Sequence, residues 1–72
     1  MNFDGQALCC RPLQDGLVEL TFDLQGESIN KFNRATVEEL REVVNLFQQQ
    51  SGIRGLLITS AKDVFIVGAD IT

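Results

Sequence analysis

Seventy-two residues make at most one small domain, and a chain of that length buries only about 60% of the surface its unfolded form exposes, so its core is marginal without a staple or partner. There is no histidine, and the two cysteines are neighbours, Cys9 and Cys10, which excludes the ligand spacings of zinc and iron-sulfur sites. Six basic residues against ten acidic ones, a net charge of −4, argue against a nucleic-acid surface, and no charged leader or membrane-length apolar run is seen, so a cytoplasmic location without a transmembrane segment is expected.

Residues 7–13 and 17–23 are two β-rich runs separated by Asp15-Gly16, a pair that accepts the positive φ of a tight turn, and together they read as a β-hairpin. On a strand, Cys9 and Cys10 point to opposite faces and are poorly placed to bridge each other, so both read as structural thiols. Pro12 has no amide to donate, which puts its part of the first strand at an edge or a bulge. In the second run Val18, Leu20 and Phe22 share one face and Glu19, Thr21 and Asp23 the other, the pattern of a strand with one wet side.

From Thr36 the period changes, because Val37, Leu40, Val43, Val44 and Phe47 fall on one helical stripe. Thr36 and Glu39 have the spacing of a capping box, which predicts a helix from about Val37 to about Gln50 with Gly52 as its stop. Glu38, Glu39 and Glu42 then belong to the solvated side of that helix. Next, Gly55-Leu56-Leu57-Ile58-Thr59-Ser60 is an almost wholly apolar run, typical of a strand buried on both faces of a parallel sheet. Strand, helix, buried strand is a βαβ crossover. A second short apolar run, residues 64–67, leads into Gly68-Ala69-Asp70-Ile71-Thr72. Asp70 and Thr72 are helix-capping types, so a further helix is expected to follow and the chain reads as a fragment.

Few catalytic constellations survive this inventory. Without histidine there is no ordinary serine or cysteine triad, and the glycines at 52, 55 and 68 fit neither the dinucleotide fingerprint nor the P-loop. Lys31 and Arg34 precede the helix, where a basic pair can meet a phosphate, although two cations on a surface turn are also ordinary. The other candidate is the run around Gly68. A glycine after a strand lets the backbone turn sharply, and the amides that follow can converge on an anion as an oxyanion hole; a plain strand end with a helix cap fits the same residues.

The run Val64-Phe65-Ile66-Val67-Gly68-Ala69-Asp70-Ile71, preceded by Gly55-Leu56-Leu57-Ile58-Thr59-Ser60, resembles the oxyanion segment of the crotonase (enoyl-CoA hydratase/isomerase) superfamily. Upstream, Ser28-Ile29-Asn30-Lys31-Phe32 and the helix with Val37-Glu38-Glu39-Leu40 are similar to the same family's first CoA-binding turn and helix. With Asp15-Gly16-Leu17-Val18-Glu19-Leu20 the likeness spans nearly the whole chain in order, and it is strongest to the multifunctional bacterial members of fatty-acid oxidation.

The resemblance implies an α/β chain, residues 1–72 being a partial crotonase fold of β-hairpin and βαβ unit that is truncated before the catalytic half. It implies that the thioester carbonyl of an enoyl-CoA is polarised by two backbone amides while two glutamates add water across the double bond. The first amide maps onto Ala69, with Gly68 supplying the turn. The second amide and both glutamates lie beyond Thr72, so neither Glu38 nor Glu39 is one of them. Val67 matches an adenine contact, Asp70 lies in the substrate-binding segment, and Ser28, Ile29 and Asn30 match the wall of the CoA cleft, with Lys31 beside them among the substrate-binding residues. Where many relatives carry a basic residue before this turn, Glu27 stands here, leaving Lys31 as a neighbouring substitute.

The resemblance further implies no metal and no cofactor for the hydratase step. NAD enters only through a dehydrogenase domain further along the polypeptide, and the implied partners are an acyl-CoA substrate, the rest of the chain's own crotonase domain and a thiolase β subunit. The alternative is a stand-alone ββαββ interaction module without catalysis.

Overall fold

The computed structural model describes residues 2–63 and residue 65. Its elements in chain order are β1 (Phe3–Asp4), β2 (Leu8–Pro12), a short 3₁₀ turn (Gln14–Gly16), β3 (Leu17–Phe22), α1 (Arg34–Gln49) and β4 (Gly55–Ser60). The strands form one mixed sheet in the order β1-β2-β3-β4. β2 and β3 pair antiparallel from Leu8↔Phe22 to Pro12↔Val18, the expected hairpin. β3 and β4 pair parallel from Leu17↔Gly55 to Phe22↔Ser60, the expected βαβ crossover through α1. β1, which no sequence pattern announced, pairs with β2 only at Phe3↔Cys10 and Asp4↔Cys9. Pro12 lies past the reach of β1, so its missing donor costs no ladder bond on that side.

The hairpin turn uses the residues that tolerate it. Asp15 and Gly16 both have positive φ, 61° and 78°. A Cβ on Gly16 would run into the Gly52 carbonyl, while the Gly16 carbonyl accepts from the Arg54 amide at 2.8 Å, so the turn is docked against the entry to β4.

The core lies between the sheet and α1: Ala7, Leu8, Cys10, Val18, Leu20, Phe22, Leu24 and Val43, with Phe3, Leu40, Phe47 and Ile53 packed on it. Val18, Leu20 and Phe22 are the buried alternation foreseen for β3. Cys10 is wholly buried and its neighbour Cys9 only half so, as strand geometry requires, and both are free thiols. Burial pushes the Cys10 thiol above its ordinary value, with the adjacent Cys9 adding to the rise.

Three expectations need correction. The helix begins at Arg34, because Asn33 is the N-cap: its Oδ1 accepts from the Thr36 amide at 2.9 Å. Thr36 is therefore inside the first turn, and Thr36 and Glu39 form no capping box. Within the apolar stripe, Val43 is buried and Leu40 and Phe47 are packed on the core, but Val37 and Val44 are exposed. The largest difference is β4, which the sequence reads as buried on both faces. Leu56, Leu57 and Ile58 are 42–50% exposed. β4 ends the sheet order, and the parallel register puts Leu57 on the outward face with Glu19 and Thr21, where no described element packs. Leu56 and Ile58 share the inward face, but the main strand contact of α1 is with β2, and both residues stay half-exposed.

Candidate functional site

The turn at residues 28–31 is held from two sides. Asn30 is 2% exposed, and every polar atom of its side chain is engaged. Its Oδ1 accepts from the Leu24 amide at 3.0 Å. Its Nδ2 donates to Ser60 Oγ at 2.8 Å and to the Phe65 carbonyl at 2.9 Å, with the Phe22 carbonyl a longer third acceptor at 3.2 Å. One side chain thus joins the carboxyl ends of β3 and β4, the loop leaving β3, and the segment after β4. On the other side the Lys31 carbonyl accepts from the Thr36 hydroxyl at 2.8 Å, which fastens the turn to the first turn of α1. Phe22 contacts the rings of Phe32 and Phe65 edge-on, with centroids 6.3 and 5.5 Å apart, so the two residues whose carbonyls Asn30 engages, Phe22 and Phe65, also meet through their rings.

The remaining turn residues differ in availability. Ser28 is exposed and Ile29 and Lys31 are half-buried. Lys31 Nζ sits 3.1 Å from Glu27 Oε1, so the acid that stands before the turn is paired with the cation that follows it. A phosphate approaching Lys31 has to compete with, or displace, that carboxylate. Arg34 is the first residue of α1 and exposed, so it is not drawn into the turn. Asp23, at the end of β3, is paired with Lys62 at 3.0 Å, which ties the segment after β4 to the same end of the sheet. Val67, Gly68, Ala69 and Asp70, named from the sequence, lie outside the described residues.

Glu39 has a role the sequence reading missed. Instead of facing solvent with Glu38 and Glu42, its carboxylate reaches across to the chain entering β2 and accepts from the amides of Gln6 at 2.6 Å, Ala7 at 2.8 Å and Leu8 at 3.0 Å. A Cβ at Gly5 would overlap this carboxylate, so the glycine makes room for it. No local pattern in the sequence signals this contact, because its partners are more than thirty positions apart. The Glu39 clamp is structural in geometry: it faces backbone donors, not a cleft.

On the outward face, Thr59 Oγ1 donates to Glu19 Oε2 at 3.0 Å and meets Thr21 Oγ1 at 3.0 Å, a polar strip across β3 and β4. Among the described residues no helix is long and apolar enough to cross a membrane, and no three histidine, cysteine or acidic side chains cluster as metal ligands.

No protein-family model matches the chain. Its whole length is, however, similar to curated proteins. It is 54% identical over 72 residues to the fatty acid oxidation complex subunit alpha of Pseudomonas aeruginosa PAO1 and to that of Pseudomonas paraeruginosa, and 53% identical to that of Pseudomonas syringae pv. tomato. In each case all of this chain is covered but only 10% of the relative, so the chain spans about a tenth of the length of the proteins it matches. At 51–54% identity without a break in coverage, the chain is homologous to the amino-terminal segment of the fatty acid oxidation complex alpha subunits.

Proposed function

We propose that this chain is the opening segment of a crotonase-fold enoyl-CoA hydratase/isomerase of fatty-acid β-oxidation. The observation that carries the reading is the unbroken 54% identity, over all 72 residues, to proteins named fatty acid oxidation complex subunit alpha. In this reading the turn at 28–31 forms part of the CoA cleft wall, Val67 and Asp70 lie along the substrate, and the Ala69 amide after Gly68 is the first oxyanion donor. The chain is inert alone, because an oxyanion donor without its acid-base pair supplies only one part of catalysis. The half-exposed Leu56, Leu57 and Ile58 support it, since an apolar strand left partly uncovered on both faces suits a place under the further layers of a larger domain. Acyl-CoA as substrate, the NAD-dependent dehydrogenase domain, the thiolase partner and a cytoplasmic location belong to the same proposal. The hydratase step itself takes no cofactor.

The test is made in the longer polypeptide that begins with these residues. It hydrates crotonyl-CoA, and Ala69→Pro, which removes the amide donor, lowers turnover roughly 100- to 1000-fold, about 3 kcal/mol, while Ala69→Gly, which keeps it, loses less. A folded Ala69→Pro enzyme working at nearly the parent rate refutes the oxyanion assignment. A longer polypeptide without hydratase activity refutes the function.

A further inference from the structure

Asn30 is buried, carries four hydrogen bonds, and none of its polar atoms is left over for a ligand. Its four partners belong to three stretches of chain that are separate in sequence: residues 22–24, Ser60 and Phe65. The carbonyl of Phe65 is the last described backbone group before the Gly68-Ala69 pair, three residues further on. We infer that Asn30 is a positioning residue: its side-chain amide fixes the backbone at Phe65 relative to the ends of β3 and β4, and so couples the turn at 28–31 to the segment that supplies the oxyanion amide. The inference rests on the function proposed above for its catalytic consequence, but its structural half stands on the hydrogen bonds alone.

The physical argument is one of donors. The Nδ2 group offers two hydrogens to three oxygens, of which the Phe65 carbonyl at 2.9 Å and Ser60 Oγ at 2.8 Å are nearest. Phe65 lies past the end of β4 and in no strand, so no sheet ladder serves its carbonyl and a donor must come from elsewhere. Asn30 supplies it from a turn that Thr36 pins to α1, so the coupling runs into a rigid element rather than into a free loop. Displacing a catalytic backbone group by about 1 Å can cost on the order of 100-fold in rate.

Asn30→Asp isolates this role, because it keeps the size of the side chain and the acceptor for the Leu24 amide while replacing the donor with an oxygen that the Phe22 and Phe65 carbonyls repel. In the longer polypeptide, per folded molecule, it is expected to lower kcat for crotonyl-CoA about 10- to 100-fold with KM changed less than about threefold. Peptides covering residues 61–72 are expected to exchange amide hydrogen faster, with those of 34–49 unchanged. A folded Asn30→Asp protein with parental kcat and parental exchange overturns the inference, and so does a rise in KM at constant kcat, which would make Asn30 a binding residue only. If the parent shows no hydration and the variant still speeds exchange in 61–72, the proposed function fails while the coupling through Asn30 stands. Parental exchange in that case overturns both.

Discussion

The Glu39 clamp gives the most direct test of how this small core is held together. Glu39→Ala removes the acceptor of three amides at once, those of Gln6, Ala7 and Leu8. Gln6 is exposed, so water replaces the carboxylate there at little cost. Ala7 and Leu8 are each 1% exposed, and their amides lose a charged acceptor with little access to solvent. A buried donor left unsatisfied costs about 1–3 kcal/mol, so two of them imply a loss of about 2–6 kcal/mol for Glu39→Ala. Glu39→Gln keeps one oxygen for Ala7 and Leu8 but turns an NH₂ toward Gln6, and should cost about 1 kcal/mol. Urea titration followed by circular dichroism gives both differences, and amide exchange at residues 6–8 gives the local effect even where the whole transition is broad. If Glu39→Ala is within about 0.5 kcal/mol of the parent and leaves exchange at Ala7 and Leu8 unchanged, the clamp contributes nothing and the reasoning fails.

Gly16→Ala meets both a left-handed φ of 78° and the Gly52 carbonyl, and should destabilise by about 1–3 kcal/mol in the same titration, whereas Asp15→Asn, equally tolerant of positive φ, should stay within about 0.5 kcal/mol. Iodoacetamide labelling read by mass spectrometry should modify the half-buried Cys9 well before the buried Cys10. Because burial raises the Cys10 pKa in the fold, its contribution is constant below the ordinary thiol value of 9.0 and stability falls as pH rises beyond it; Cys10→Ala should remove that alkaline slope from the urea midpoints. The isolated chain should show no turnover of crotonyl-CoA and should associate with concentration in sedimentation, less so as Leu57→Lys; a monomer with a sharp cooperative melt counts against an unfinished sheet.

What the sequence by itself determined is local. The positive-φ pair Asp15-Gly16, the alternation through Val18, Leu20 and Phe22, and the change to a helical period after Thr36 are set by backbone sterics and side-chain spacing, so hairpin, strand and helix are legible without a fold. The motifs at 28–32 and 55–71 likewise led to the relatives, because a run of residue types in order carries ancestry whatever surrounds it. Tertiary structure decided which groups find partners across the chain. Asn33 took the cap from Thr36, and Glu39 left the solvated face for amides more than thirty positions away in sequence. Asn30, which the sequence offers as a cleft residue, is committed to four protein groups from three stretches of chain. β4 shows the limit most clearly: its composition specifies a strand that wants cover on both faces, but composition cannot supply the cover. Whether Leu56, Leu57 and Ile58 are buried depends on what packs against them, and among the described residues α1 has its main strand contact with β2 and leaves them half-exposed.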